Sequence, residues 1–220
     1  MESVRIVCLS DTHNLHAELD VPDGDVLLHA GDFTGHGSEA EVAAFGEFLA
    51  DLPHAEKVIV AGNHDFLFES DGARAKELLG DVTYLQDASA SVCGLTIWGS
   101  PWQPWFHDWA FNLPRGAALA EKWRLVPESI DILVTHGPPE GILDQTDHGP
   151  RVGCEALREA LARIRPRLHL FGHIHEDYGS AQGDSTLSVN ACNCDRRYRL
   201  VNLPVVIDWD GAGPRLLDRP

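Results

Sequence analysis

Short apolar runs alternate with helical patterns along most of this chain. The runs Val4–Leu9, Val26–His29, 57–61, 95–98, 130–135, Leu168–Phe171, 186–189 and 205–209 are brief and rich in β-branched residues. That combination favours strand over helix. Between them the spacing predicts helices over 38–50, Gly72–Leu79, 117–123 and 154–163. Ser38 and Glu41 form a capping box ahead of an apolar face made by Val42, Phe45 and Leu49. Strands separated by helices predict an α/β layered domain. There is no internal repeat, low-complexity tract or linker, so residues 1–220 read as a single domain. The Pro- and Gly-rich segment 137–150 reads as one long loop, and the chain after Val189 as closing strands.

Composition narrows the class. With 220 residues, 44% of them apolar and 23% charged, the chain has the make-up of a globular protein. No run of about 18 apolar residues occurs, which excludes a spanning helix. Met1-Glu2-Ser3-Val4-Arg5 has neither the basic start nor the apolar stretch of a secretory signal. The acidic residues number 34 against 17 basic, a net charge of −17. Such a field repels nucleic-acid polymers and anionic membrane surfaces, so neither is an expected partner. An acidic chain that handles phosphate must bring positive charge from elsewhere, and bound metal is the obvious source. The five cysteines are odd in number and widely spread. Cys8 and Cys93 sit in apolar stretches and read as buried free thiols, and Cys192-Asn193-Cys194 has no partner pair for a zinc knuckle. This usage fits a reducing compartment and a cytoplasmic location.

The candidate chemistry lies at the ends of the predicted strands. Twelve histidines are present, and several share one context: an apolar strand stops and a polar loop opens. The instances are Ser10-Asp11-Thr12-His13, Gly31-Asp32, Gly62-Asn63-His64-Asp65, Thr135-His136-Gly137 and Gly172-His173-Ile174-His175. In α/β sheets ligands bind just beyond the carboxyl ends of strands, so these loops deliver their side chains to one rim. Imidazole, carboxylate and amide oxygen together suit Mn, Fe, Zn, Co or Ni better than Ca or Mg alone. A pair of such ions roughly 3.5–4 Å apart clamps the attacking and leaving oxygens of an in-line displacement. Each block alone is a common turn or strand end; the five together, in order, are not.

These five blocks resemble those of the calcineurin-like metallophosphoesterases, and the likeness runs from about residue 5 to 210. Trp98-Gly-Ser-Pro-Trp-Gln-Pro104, His136-Gly-Pro-Pro139, Arg151-Val-Gly-Cys154 and Phe171-Gly-His-Ile-His-Glu176 are similar to the metallophosphoesterase-domain-containing subgroup, associated with phosphodiester and cyclic-nucleotide hydrolysis. The resemblance implies a two-sheet β-sandwich flanked by helices, a four-layer αββα fold. It implies two divalent ions, the first held by Asp11, His13 and His175, the second by Asn63, His136 and His173, with Asp32 bridging. His173 stands where some members of that subgroup carry glycine, so a complete binuclear centre is expected. A hydroxide bridging the ions would attack phosphorus in line, with His64 beside the leaving oxygen and Asp65 hydrogen-bonded to His64 to orient it. The implied activity is hydrolysis of a small phosphodiester such as a cyclic nucleotide. The alternatives are a phosphomonoesterase on a nucleotide or phosphoprotein and a non-catalytic metal-binding scaffold.

Weaker signals surround this core. Trp98, Trp102, Trp105, Phe106, Trp109 and Phe111 crowd one Pro-broken stretch. They read either as an aromatic wall that stacks a nucleobase, with Trp102 and Trp105 exposed, or as a satellite core under a loop. Arg151 is placed to reach a substrate phosphate or to sit as a surface cation, and His36 to approach the substrate or face solvent. Arg196, Arg197 and Arg199 read as a salt-bridged surface patch.

Overall fold

The computed structural model describes residues 3–147 and 149–217; Met1 and Glu2 of the N-terminal segment read above lie outside the described residues. In chain order the elements are β1 (Val4–Leu9), β2 (Val26–His29), α1 (Glu39–Asp51), β3 (Glu56–Ile59), α2 (Phe66–Ser70), α3 (Gly72–Leu79), β4 (Thr83–Tyr84), β5 (Ala88–Val92), β6 (Leu95–Ser100), β7 (Gln103–Pro104) and β8 (Asn112–Leu113). There follow α4 (Ala117–Arg124), β9 (Ile132–Thr135), α5 (Glu155–Ile164), β10 (Leu168–Phe171), β11 (Gly179–Gln182), β12 (Leu187–Asn190), β13 (Val205–Asp210) and β14 (Gly213–Leu216). Every apolar run predicted as a strand is one, within two residues at either end. The Ser38–Glu41 capping box opens α1 as expected.

Two six-stranded mixed sheets face each other, ordered β14-β13-β1-β2-β3-β4 and β11-β12-β10-β9-β6-β5. Ile6, Cys8, Leu28, Val58 and Val60 of the first sheet and its margins pack against Ile97, Ile132, Val134, Leu170 and Val189 of the second. The alternate residues of the same strands point outward and are covered too. Leu9, Leu27 and Ile59 lie under Val42, Phe45 and Leu49 of α1 and Leu79 of α3. Trp98 and Leu133 lie under Trp123 of α4 and Leu157 and Leu161 of α5. The four-layer αββα expectation holds, and it explains why these strands read as unbroken apolar runs: both faces are buried.

The unpredicted strands are at edges or are very short. β5 (Ala-Ser-Ala-Ser-Val) and β11 (Gly-Ser-Ala-Gln) pair antiparallel with β6 and β12 through backbone hydrogen bonds and bury little apolar surface, so their sequences carry no apolar signal. One cysteine expectation is corrected. Cys93 is exposed, because Cys93-Gly94 turns the β5–β6 hairpin with both residues at positive φ, the geometry of a two-residue turn. Cys8 is buried as expected, and the five cysteines are all free.

Two buried histidines belong to this scaffold and to no candidate cluster. His169 meets Thr135 Oγ1 through Nε2 at 2.9 Å, that hydroxyl donates to the Gly137 carbonyl, and His169 Nδ1 has no partner among the described residues. His29 Nδ1 accepts the Gly31 N–H and its Nε2 meets Thr12 Oγ1, each at 3.2 Å. Burial pushes both pKa values down, to about 3. Unfolded histidine titrates near 6.5, so below that pH the unfolded chain takes up protons that the folded state refuses. Stability from each ring is fully present above about pH 6.5 and is lost as pH falls toward about 3, by about 1.4 kcal/mol per group per pH unit. His169→Gln, measured by urea unfolding in EDTA between pH 6.5 and 5, is expected to lose stability less steeply than the wild type by about one group's worth. An unchanged slope would show that His169 is not the neutral ring described.

Candidate metal centre

The loops that follow β1, β2, β3, β9 and β10 all open at one rim, because those strands run parallel within their sheets. They bring Asp11, His13, Asp32, Asn63, His64, His136, His173 and His175 into one buried or half-buried cluster. The backbone there is unusual. Asp11, His13, Asp32 and His173 all have φ between 41° and 69°, a left-handed conformation that costs a residue with a side chain on the order of 1 kcal/mol and concentrates at functional sites. Close approach fixes the glycines. A Cβ on Gly172 would lie 2.0 Å from Asp11 Oδ2 and 2.1 Å from Ser10 Oγ, and one on Gly62 would lie 2.3 Å from Asp32 Oδ1.

Three overlapping triads have donor atoms within 4.8 Å of one another: Asp11–His175–Cys192, His13–Asp32–His64 and Asp32–His136–His173. Asp32 belongs to two of them, which is the placement a bridging carboxylate requires. Its Oδ2 lies 3.4 Å from His136 Nε2, 3.9 Å from His64 Nε2 and 4.0 Å from His13 Nε2. His136 Nε2 also lies 2.9 Å from Asn63 Oδ1. On the other side, His175 Nε2 is 3.2 Å from Asp11 Oδ1 and 3.3 Å from His13 Nε2.

The tautomers decide what this geometry means. His136 Nδ1 donates to the Ala30 carbonyl and His175 Nδ1 to the Asp195 carbonyl, each at 2.9 Å. In the neutral rings Nε2 therefore presents a lone pair, aimed at carboxylate and amide oxygens that carry lone pairs of their own. Such a meeting is repulsive unless a cation or a proton stands between. Burial alone would lower both histidine pKa values, but the Asp32 and Asp11 carboxylates raise them to about 9. His13 and His173 go the other way, burial pushing them to about 4 and about 3. Burial would also raise Asp11 and Asp32, yet the surrounding imidazoles hold both below the usual carboxylate range. Buried carboxylates facing ring nitrogens in fixed tautomers fit divalent d-block cations.

Several neighbours of the cluster differ from expectation. Asp65 does not bond His64. It accepts the backbone N–H groups of Asp32, Gly62 and Thr34 and the Thr34 hydroxyl, at 2.7–3.0 Å, and so ties the Asp32 loop to the Asn63 loop. Burial and the Asp32 charge raise its pKa. His64 is oriented instead by the Gly35 carbonyl, 2.7 Å from its Nδ1, and by Trp109, whose ring centroid is 3.8 Å away. Gly35 is itself held by the capping-box Glu41, which takes its N–H together with those of His36 and Ser38.

A cavity of about 480 Å³ opens over the cluster, walled by Trp105, Phe106 and Tyr198 with Arg115, Arg196 and Glu176 among its polar lining. Trp105 therefore reaches the cavity as expected, whereas Trp102 does not. Trp102 is half-buried, its Nε1 donates to Asp87, and Lys122 lies over its ring at 4.2 Å. Arg151 faces another groove and pairs with the buried Asp144 at 2.7 Å. His36 is exposed and lies outside the cavity wall. Two of the three arginines of the patch are ion-paired as expected, Arg196 with Glu176 and Arg199 with Asp195, whereas Arg197 meets Asp195 through its backbone N–H. Ser10, Cys192 and Tyr198 border the site without having been read as part of it: Ser10 Oγ and Cys192 Sγ both donate to Asp11 Oδ2, at 2.5 and 3.1 Å. Only the neighbouring motif residues could have pointed to Ser10, and nothing in local sequence to the others.

A four-layer αββα fold with a buried His/Asp cage at its strand ends defines a metal-dependent hydrolase of phosphoesters. The chain belongs to the calcineurin-like phosphoesterase family, whose sequence profile matches residues 4–177. It is 46% identical to human metallophosphoesterase domain-containing protein 1 over 93% of this chain and 70% of that protein. It is 40% identical to a UPF0046 protein of Caenorhabditis elegans, over 94% of this chain and 60% of the relative. The fold is shared with TT1561 of Thermus thermophilus, at a TM-score of 0.57 and 15% identity, covering 85% of this chain and 88% of that one. The family implies divalent metal ions. No helix among the described residues is long and apolar enough to cross a membrane.

Gly172→Ala drives a methyl group into Asp11 and Ser10. The substitution is expected to lower phosphoester hydrolysis by at least about 10²-fold, the scale of an ångström-level misplacement, assayed alongside a thermal melt. Full activity in a folded Gly172→Ala protein would mean that Asp11 is not held as described.

Proposed function

We propose that the chain is a binuclear phosphodiesterase acting on a small diester such as a cyclic nucleotide. The observation that carries the metal assignment is the pair of backbone-locked imidazoles, His136 and His175, whose Nε2 atoms are turned toward the buried Asp32 and Asp11 carboxylates. In this reading Asp11, His13 and His175 hold one ion, Asn63, His136 and His173 hold the other, and Asp32 touches both. Two divalent cations there would lower the pKa of a water and take up charge on the phosphoryl oxygens; manganese, iron, zinc, cobalt and nickel all suit the donor set.

The remaining roles fall to the chain's own side chains. With Nδ1 held by Gly35, His64 exchanges protons at Nε2, on the side of Asp32. From there it donates to the departing ester oxygen. Asp65 keeps the Asp32 and Asn63 loops in register. The largely apolar cavity suits a small organic ester, and the net charge of −17 disfavours a phosphate polymer. The preference for diesters rests on the likeness to the subgroup associated with them.

His64→Ala is expected to lower kcat by roughly 10²–10⁴-fold while metal content, read by elemental analysis, stays at the wild-type level. Loss of metal in that variant would move His64 into the ligand set. Metal-stripped enzyme reloaded with each candidate ion is expected to hydrolyse bis(p-nitrophenyl) phosphate in preference to p-nitrophenyl phosphate. A large preference for the monoester would favour the phosphomonoesterase alternative, and blank-level rates with every ion would favour a metal-binding scaffold.

A further inference from the structure

Tyr198 occupies a position that its own backbone argues against. The segment 195–199 is a tight turn: Tyr198 N–H donates to the Asp195 carbonyl at 2.8 Å and Asp195 N–H to the Arg199 carbonyl at 2.9 Å. Tyr198 has φ of 55°. In turns of this kind the left-handed position is the one glycine fills, because a side chain there meets its own backbone. A bulky aromatic held in that conformation calls for a reason outside the turn.

The surroundings supply one. The Tyr198 ring stands over the cluster, with its centroid 4.7 Å from that of His13 and 5.9 Å from those of His64 and His175. It is nevertheless 48% exposed, and its hydroxyl has no hydrogen-bond partner among the described residues. The turn is registered to the site, because the Asp195 carbonyl that receives Tyr198 N–H also receives His175 Nδ1–H. Trp105 and Phe106, both exposed, line the same cavity, and Phe106 lies edge-on to His173 at 5.7 Å. The aromatic groups thus border both halves of the cluster.

We propose that Tyr198 is a substrate-contacting residue whose ring packs against the organic group of the ester. The proposal rests on the site assignment above and adds a determinant of which esters bind. Tyr198→Gly removes the ring and restores the residue this turn favours, so the variant is expected to fold at least as well as the wild type. Its kcat/KM for bis(p-nitrophenyl) phosphate is expected to fall about 10-fold, mainly through KM, on the scale of one lost aromatic contact. The loss is expected to be smaller for methyl p-nitrophenyl phosphate, whose second ester group is small. Tyr198→Phe keeps the ring and is expected to restore wild-type kcat/KM. Metal content is expected to be unchanged in both variants, and neither is expected to melt below the wild type.

Wild-type kcat/KM in Tyr198→Gly, equal losses on both substrates, failure of Tyr198→Phe to restore the constant, or loss of metal from Tyr198→Gly would each overturn the proposal. Measuring p-nitrophenyl phosphate in parallel separates this from the diester reading. If the wild type prefers the monoester, the diester assignment fails while the comparison of Tyr198→Gly on the two diesters still decides the role of the ring.

Discussion

The structure depends on how two buried carboxylates, Asp11 and Asp32, are compensated. A charge taken out of water is tolerated only when partners replace the lost hydration. Here the partners on one side are hydrogen-bond donors, and on the other they are imidazole rings. Asp11 Oδ2 receives Ser10 Oγ, the His173 N–H and Cys192 Sγ, which leaves Oδ1 to face His175 and His13. Asp32 Oδ1 receives the His64 N–H, which leaves Oδ2 to face His136, His13 and His64. Each carboxylate is thereby anchored by one oxygen and presented by the other. The presented oxygens meet imidazole nitrogens, and each such meeting needs a proton or a metal cation between the two atoms.

That arrangement needs close approach and strained backbone, and the fold supplies both at the strand ends. Gly62 and Gly172 let the loops of different strands come within van der Waals contact of Asp32 and Asp11. The left-handed conformations of Asp11, His13, Asp32 and His173 bend each loop as it leaves its sheet. The sheets beneath are buried on both faces, so their strand ends are rigid platforms and the loops inherit that rigidity. A second set of contacts, beside the cluster, keeps the loops in register. Asp65 joins the Asp32 and Asn63 loops, and Glu41 gathers the segment whose Gly35 carbonyl orients His64. With five donors making six hydrogen bonds to its two oxygens and burial working the other way, Glu41 has its pKa lowered to about 2, so it stays anionic and keeps its hold at neutral pH.

The cavity above the cluster shows how an acidic protein accommodates an anionic ester. Its arginines are already engaged, Arg115 with Glu155 and two carbonyls, Arg196 with Glu176. Aromatic rings supply much of the rest of the wall. Charge recognition is therefore left to the His/Asp cluster below, and the wall offers mainly apolar surface.

By itself the sequence determined the buried strands, the main helices and the polar blocks at the strand ends, because each of these is a local pattern: an apolar run, a capping box, a ligand residue next to glycine. It also determined the family, since the spacing of those blocks is specific. Tertiary structure alone decided what depends on partners far along the chain. β5 and β11 are strands because neighbouring strands offer them backbone hydrogen bonds, not because of their own side chains. Cys93 is exposed because a hairpin turns there. Asp65 bonds backbone amides of two loops instead of its sequence neighbour His64, Trp102 is taken up by Asp87 and Lys122, and Arg151 is taken up by Asp144. Tyr198 reads locally as a residue in a surface turn; it stands at the metal centre because the Asp195 carbonyl ties that turn to His175, a contact between segments that no local pattern encodes.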